Sequence, residues 1–290
     1  MTDSLNSDFD SPFGTYALGA IRDLIRKFGA VMPANKFGLL GASGVRRLAL
    51  FGIANGLNGP YDVQVARHIN ARLFPRSNRC EKRAFCGVQT WDQPERSFIV
   101  DALKAKQADA FTFVDVGANV GLYSLFVYRA ATDMKRDCTI VAIEPDPENR
   151  NRLVFNAIAS GADINVEAVA VSGTAGEGIL AGGDRNRGSI GLQSDTTVNG
   201  VKVPLEPLYE ILKRNKLKYV DAMKVDIEGH DYVALEAFFN SAPKTLFPTK
   251  LIVETGQYGK GPIVDLALAN GYRLADTTKM NAMLERRDDE

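Results

Sequence analysis

The sequence predicts an α/β fold: a mostly parallel seven-stranded sheet with helices on both faces, an antiparallel strand at its C-terminal end, and a helical extension before it. Three observations predict it. From residue 111 onward, short apolar runs alternate with helical patterns, the rhythm of strand–helix–strand units. Several of those runs end in a carboxylate followed by glycine or proline. The last two strands are joined by a tight turn, not by a helix, which requires one of them to run antiparallel.

Taken in order, residues 1–14 are rich in Ser, Asp and Asn and read as a loosely attached lead. From Thr15 a helical period places Leu18, Ile21, Leu24, Ile25 and Phe28 on one face, with Arg22, Asp23, Arg26 and Lys27 opposite. That stripe either packs on the main domain, the favoured reading, or anchors the chain to a membrane or partner helix. A weaker helix follows over 45–55. Between Tyr61 and Asp92, strand-like pieces (69–74 and 84–90) flank a charged stretch, 76–83. Gln93-Pro94-Glu95 then opens a helix to about Lys106. Phe111 to Val116 reads as a buried strand, being too short for a helix and followed by glycine. A helix over 122–131 and a second strand, Thr139 to Ile143, come next. Asp146 is placed to cap a helix with Pro147 in its first turn, and Gly161 stops that helix. A third strand is expected over 164–171, then a Gly-rich interlude over 172–200 with a hairpin near 184–189. Val201 to Val203 leads to a helix over 206–215. Strands over 219–225 and 250–253 enclose a helix from Asp231 to Asn240. A helix over 262–270 and strands over 272–274 and 282–286, across the turn at Thr277-Thr278-Lys279, finish the pattern. The division expected is 1–60 (helical extension), 61–110 (irregular lead-in, on the substrate side) and 111–290 (main domain).

Bulk properties exclude several classes. Lys+Arg and Asp+Glu stand at 35 each, so no net field draws the chain to nucleic acid. Three cysteines and two histidines, all scattered, do not make a structural zinc site, and the odd cysteine fits a reducing compartment. The polar, acidic first residues are the opposite of a signal-peptide start, and the stretch 37–57 is broken by Arg46-Arg47 and by glycines, so no transmembrane segment is expected. A cytoplasmic chain is the expectation; its oligomeric state is open.

The chemistry concentrates at strand ends. Asp115, Glu144, Asp226 and Glu254 each close or follow a strand, and in a parallel sheet they converge on the crevice beyond the carboxyl edge. Acids also cap helices at such places, but four at one edge are more than capping needs. Asp115-Val-Gly-Ala-Asn-Val-Gly121 is a turn in which Gly117 and Gly121 let backbone approach a ligand, while Asn119 tolerates a left-handed conformation. Followed by Glu144 after the next strand, it reads as a nucleoside-binding loop, with the carboxylate accepting the ribose hydroxyls. NAD(P) would bring anionic phosphates against Asp115. S-adenosyl-L-methionine brings an ammonium and a sulfonium, and an acid-rimmed crevice with no Lys or Arg in the loop suits it better. An NAD(P)-dependent oxidoreductase and a non-catalytic binding module are the alternatives.

The segments DVGANVGLYS (115–124), AIEPDPENRNRLVFNA (142–157), NRGSIGLQ (186–193) and KVDIEGHDYVALEA (224–237) resemble the FkbM family of methyltransferases. The resemblance implies a Rossmann-like class I methyltransferase fold. It also implies methyl transfer from S-adenosyl-L-methionine to an oxygen, often a hydroxyl of a sugar, glycan or secondary metabolite. It puts Asp115, Gly117, Asn119 and Gly121, with neighbouring Ser124, at the cofactor's methionine end. Glu144 and adjacent Pro145 fall on the ribose, and Asp226 beside the reacting centre. Asp231 stands where the family usually has Glu, and residues 1–60 lie outside the match.

An alcohol is a poor nucleophile, so a base near the acceptor is expected. Asp226, Glu228, His230 and Asp231 are the candidates; Asp226 is preferred for its place at a strand end, and His230 has the best intrinsic pKa near neutrality. These carboxylates suit Mg²⁺ in type, but their spacing demands no metal. Arg76, Asn78, Glu81, Lys82 and Arg83 are candidate contacts to a polyhydroxylated acceptor, unless they form a solvated loop. Trp91 is a candidate stacking platform, though a core tryptophan is the commoner outcome.

Overall fold

The computed structural model describes residues 8–33, 35–51, 59–87, 89, 91–106, 110–182, 190–193, 199–256 and 259–287. Two helices open it, α1 (Ala20–Phe28) and α2 (Lys36–Ala49). The second starts earlier than the expected 45–55, because the Asn35 side chain caps it by accepting from the Gly38 N–H at 2.9 Å. A hairpin follows, β1 (Tyr61–Ala66) and β2 (Ile69–Leu73), joined through His68 with φ +60°. Next comes α3 (Arg79–Ala84), a helix begun where the sequence suggested an irregular run and ending where it suggested a strand. Asn78 again explains the difference, since its carboxamide accepts from the Cys80 and Glu81 amides. Helix α4 (Gln93–Ala105) agrees with expectation.

From there the alternation holds: β3 (Phe111–Val116), α5 (Leu122–Asp133), β4 (Cys138–Ile143), α6 (Pro147–Ser160) and β5 (Asn165–Glu167). The expected strand over 164–171 is broken after Glu167. Its second half, β6 (Ala170–Val171), leaves the main sheet and joins β7 (Gly176–Gly182), β8 (Ile190–Gln193) and β9 (Val201–Glu206) in a four-stranded sheet of order β6-β9-β7-β8. The Gly-rich interlude is therefore largely strand, because glycines let β7 pass close to its neighbours. β7 and β8 pair antiparallel around residues 183–189, so the expected hairpin turn lies outside the described residues. Then come α7 (Leu208–Arg214), β10 (Ala222–Val225), α8 (Asp231–Ser241), β11 (Lys250–Glu254), α9 (Pro262–Ala269), β12 (Tyr272–Thr277) and β13 (Asn281–Arg286).

The main sheet has the order β12-β13-β11-β10-β3-β4-β5 and only β13 runs against the rest. β3 is central: the chain goes outward through β4 and β5, then returns to its other side through β10 and β11. That reversal opens a crevice at the carboxyl ends of β3 and β10.

Strand alternation divides the core. Phe111, Phe113, Ala222, Ile252 and Met283 face one layer, which also holds α4, α5, the β1–β2 hairpin and Ala42, Ala49 and Leu50 near α2. Val114, Val116, Met223, Val225, Leu251 and Val253 face the layer of α7, α8 and α9. The lead-in is bonded to the main domain: the Arg72 N–H donates to Asn156 Oδ1 at 2.8 Å, and the buried Arg72 guanidinium pairs with Asp62 at 2.7 Å. Helix α1 meets the favoured reading only in part: Leu18 and Ile25 pack against the core, while Ile21, Leu24 and Phe28 face solvent and Arg26 is 1% exposed. No helix among the described residues is long and apolar enough to cross a membrane.

Candidate active site

The register places the site's charges. Asp115 and Lys224 are direct partners across β3 and β10, so their side chains leave the same face, and Asp226 follows two residues on. The Lys224 ammonium lies 2.6 Å from Asp226 Oδ2 and 5.0 Å from the centre of the Tyr123 ring. Burial opposes its charge, but Asp226 and Asp115 more than offset this and hold the amine protonated well above its ordinary range. Asp226 responds in kind: burial works against ionisation, yet Lys224 keeps its carboxyl below the usual range. Glu254, at the end of β11, hydrogen-bonds Asp226 and is pushed up to about 8 by burial and by that neighbouring charge. The two carboxyls are thus pushed in opposite directions, with Asp226 the one that ionises more readily.

Asp115 is 1% exposed, and its Oδ2 accepts from Ser124 Oγ at 2.7 Å and from the Ser124 N–H at 3.2 Å. Its Oδ1 is buried without a protein partner. Burial raises its pKa, with Lys224 opposing. Beyond it the loop turns on Gly117 (φ +81°), and the Gly117 and Ala118 amides both donate to Ile143 O at 3.0 Å. A Cβ on Gly117 would stand 1.9 Å from Asp226 O, so the loop passes β10 at a distance only glycine permits. Asn119 takes the left-handed conformation expected of it, with φ +54°. Gly121 starts α5 and lies against Leu153.

Glu144 grips the loop from the next strand. Its Oε2 accepts from the Asn119 N–H at 2.7 Å and its Oε1 from the Asp146 N–H at 2.9 Å, while burial pushes its carboxyl up to about 7. Asn119 Oδ1 accepts from Asn78 Nδ2 at 2.6 Å. Asn78 therefore braces the loop from α3 and does not face an acceptor. Glu81 is likewise engaged, fully buried against Arg152 at 2.8 Å. Of the expected charged stretch, Arg83 reaches a cavity, joined by Arg79.

The loop separates two cavities that share Gly117, Asn119, Asp226 and Glu228. The narrower is lined by Glu144, Pro145 and Asn149, with Ile143, Val169, Leu180 and Leu192 as apolar walls. The wider, of about 290 Å³, contains Asp115, Lys224 and Glu254, and opens towards Arg79, Arg83 and Asn281. Trp91 is buried edge-on against Tyr123, with ring centres 4.7 Å apart, at the floor of this cavity. Asp92 accepts from the Tyr123 hydroxyl at 3.1 Å.

Of the sequence-predicted residues, Asp115, Gly117, Asn119, Glu144, Pro145, Asp226 and Glu228 line these cavities. Ser124 and Gly121 stand behind the loop as supports. His230 precedes α8 and lines neither cavity. Asp231 accepts from the Ile227 and Gly229 amides at 3.0 and 3.1 Å, tying down the turn that carries Glu228. Glu254 reaches the crevice with the other strand-end carboxylates, whereas Lys224, Tyr123 and Asp92 are site residues that the sequence does not announce, although Lys224 sits in a quoted motif. Asp226, Glu228 and Glu254 also offer oxygens within 4.8 Å of one another, a spacing a cation accepts, but the Lys224 ammonium already sits on Asp226.

The family model described as the Methyltransferase FkbM domain matches residues 115–284, more than half of the chain and all of the motifs above. The chain belongs to the FkbM methyltransferase family. It is an S-adenosylmethionine-dependent methyltransferase with the class I fold. Among solved structures, the FkbM methyltransferase of Methylobacillus flagellatus KT is 16% identical over 85% of this chain and 60% of its own, with a TM-score of 0.39. The precorrin-6y C5,15-methyltransferase of Geobacter metallireducens GS-15 is 11% identical over 69% and 90%, also at 0.39. TrmK of M. capricolum, solved with S-adenosyl-homocysteine, is 11% identical over 64% and 65%, at 0.35. No curated protein sequence matches the chain.

The residues present fit this cofactor. The unpartnered Asp115 Oδ1 is an acceptor awaiting a donor in the wider cavity, and Glu144 lines the narrower one on the other side of the loop. Replacing Asn78 tests the brace behind them. Asn78→Ala removes the α3 cap and the bond to Asn119, so it should lower Tm by about 2–4 °C. It should also weaken S-adenosylhomocysteine binding by roughly fivefold in calorimetry, the worth of one hydrogen bond. Unchanged affinity would mean the brace does not position the loop.

Proposed function

We propose that the FkbM chain methylates a hydroxyl oxygen on a sugar, glycan or other polyhydroxylated metabolite, with Asp226 receiving the hydroxyl proton. The observation that carries this reading is the position of Asp226, which lines both cavities at their junction and is held there by the Lys224 ammonium at 2.6 Å. The cofactor supplies a methyl group on a sulfonium, which leaves as a neutral thioether. Its ribose falls to Glu144 in the narrower cavity and its methionine end to Asp115, Gly117 and Asn119. The acceptor occupies the wider cavity, where Arg79, Arg83 and Asn281 donate to its oxygens.

As the new O–C bond forms, the hydroxyl proton becomes strongly acidic and passes to the Asp226 carboxylate. A weakly basic carboxylate is sufficient this late in the transfer, and Glu254 stabilises the charge until then through its hydrogen bond. Glu228, which reaches solvent but is raised above its ordinary range by partial desolvation at the cavity mouth and by the Asp226 charge, is the neighbour that can pass the proton to solvent. His230, outside both cavities, is assigned no role in the transfer.

Asp226→Asn should lower kcat by about 100-fold or more, the usual worth of a positioned base, with S-adenosylhomocysteine affinity within a few-fold of the parent. Assays with cofactor carrying a radiolabelled methyl group and a panel of hydroxylated acceptors read both. Full transfer by Asp226→Asn removes the proton-accepting role. Label recovered on nitrogen or carbon removes the O-methyl assignment.

A further inference from the structure

The amphipathic extension buries only part of its apolar surface: Leu18, Ile25, Met32 and Val45 pack against the core, with Ala42 and Ala49 inside it. Its polar side is tied inward: Arg26 donates to Phe85 O at 2.9 Å and Gln64 O at 3.1 Å and pairs with Asp23, and Arg22 donates to Phe51 O at 3.1 Å. Arg46 in α2 donates to Lys82 O at 3.1 Å. The rest of the apolar side is left outward. Ile21, Leu24 and Phe28 recur at helical spacing on α1, and Phe37, Leu40 and Leu48 on α2, with exposures from 58% to 82%. Nine of the seventeen large hydrophobic side chains exposed among the described residues fall within 21–51. Scattered exposed apolar residues need no explanation; a concentration of this kind marks a contact surface.

Charge decides what contacts it. Residues 18–51 carry six Lys and Arg and one acid, Asp23, in a chain that is otherwise balanced. Arg22, Arg26 and Arg46 are engaged internally, Lys27 pairs with Asp23 at 2.8 Å while staying 57% exposed, and Arg47 is exposed, so the outward charge of the segment is positive. A second copy would bring the same positive segment against itself. We infer that α1 and α2 form a peripheral docking surface for an anionic phospholipid bilayer, with the apolar side chains in the acyl boundary and the basic rim at the headgroups. Arg46 joins this surface to α3, whose Arg79 and Arg83 line the acceptor cavity, so docking would hold that cavity close to the bilayer.

Cosedimentation of the full chain with phosphatidylcholine/phosphatidylglycerol vesicles, and with phosphatidylcholine alone, tests the inference. Binding is expected to the anionic vesicles at low salt, falling by roughly tenfold at high salt. Phe28→Ser/Phe37→Ser/Leu40→Ser should weaken it by at least about tenfold, and Lys27→Glu/Arg47→Glu should abolish the preference for anionic lipid. Each variant should keep the parent's affinity for S-adenosylhomocysteine, which verifies that it is folded. Absence of binding to anionic vesicles overturns the inference. So does a triple-Ser variant that binds like the parent, or a concentration-dependent dimer in sedimentation velocity that the triple-Ser variant alone loses.

Discussion

Gly117→Ala is expected to abolish measurable cofactor binding, weakening S-adenosylhomocysteine by about 100-fold or more, and to lower stability by about 2–4 kcal/mol. Two effects add. The residue sits at φ +81°, where a Cβ costs about 1–2 kcal/mol. The new methyl would also stand 1.9 Å from the carbonyl oxygen of Asp226, a backbone atom fixed by the Asp226 N–H bond to Val116 O at 3.0 Å. Neither strand can yield cheaply, so the loop must lift away from β10, separating Asp115 and Asn119 from Asp226. Gly121→Ala is the control. It bears the same backbone cost at φ +82°, but its Cβ meets Leu153 Cγ at 2.9 Å, a side chain that can rotate. Its stability should fall comparably, with only a small change in affinity. Calorimetry with S-adenosylhomocysteine and thermal melts of both variants separate the two costs. Near-parent affinity in Gly117→Ala would show that the close approach of loop and strand does not shape the site.

Much of this was legible in the residues, for local reasons. The β3 strand, the glycine turn and the Asp146–Pro147 helix start each depend on neighbours within a few positions, so pattern and capping rules reach them. The same holds for the carboxylates at strand ends, which the parallel sheet must gather at one edge. What escaped depends on partners distant in sequence. Nothing near Asn78 announces that it will meet Asn119, because β2 and α6 determine that approach. Lys224 reads as an isolated charge in a buried strand until register sets it opposite Asp115. The stretch 164–171 reads as one strand because Ile164 and Val166 run on into the apolar Ala168–Val171, while its break follows from β6 pairing with β9. Helix α1 shows the limit of periodicity: the pattern identifies two faces, but the edge turned inward combines Leu18 and Ile25 with Arg26, whose bonds to Phe85 and Gln64 no local rule foretells.

Lys224→Met carries the second large effect, and its dependence on pH identifies the cause. The lysine is the positive charge shared by two carboxylates, so its loss leaves the buried Asp115 facing Asp226, whose side chain is 35% exposed. Removing one partner of a fully buried pair typically costs about 3–5 kcal/mol, and solvent screening at Asp226 brings the expected loss to about 2–3 kcal/mol. In the parent, Asp226 has a lowered pKa, so its contribution is present above the ordinary carboxylate range and is lost as pH falls through that range. Lys224 has a raised pKa, so its contribution is complete below the ordinary lysine range and is lost only as strongly alkaline pH is reached. The pair is therefore stabilising across the whole neutral window. In the variant both carboxyls should titrate high, and the folded state binds more protons than the unfolded one between mildly acidic and neutral pH. Its stability should fall as pH rises there, so the Tm deficit against the parent should be larger at pH 8 than at pH 5. Adding Asp226→Asn to Lys224→Met should recover about 1–3 kcal/mol, since it removes one of the stranded charges. A deficit independent of pH, with no recovery in the double variant, would mean that Lys224 acts through packing against Tyr123 and not through charge. Transfer activity should respond more simply: without the ammonium, Asp226 holds its proton to higher pH, and the acidic limb of the kcat profile moves upward.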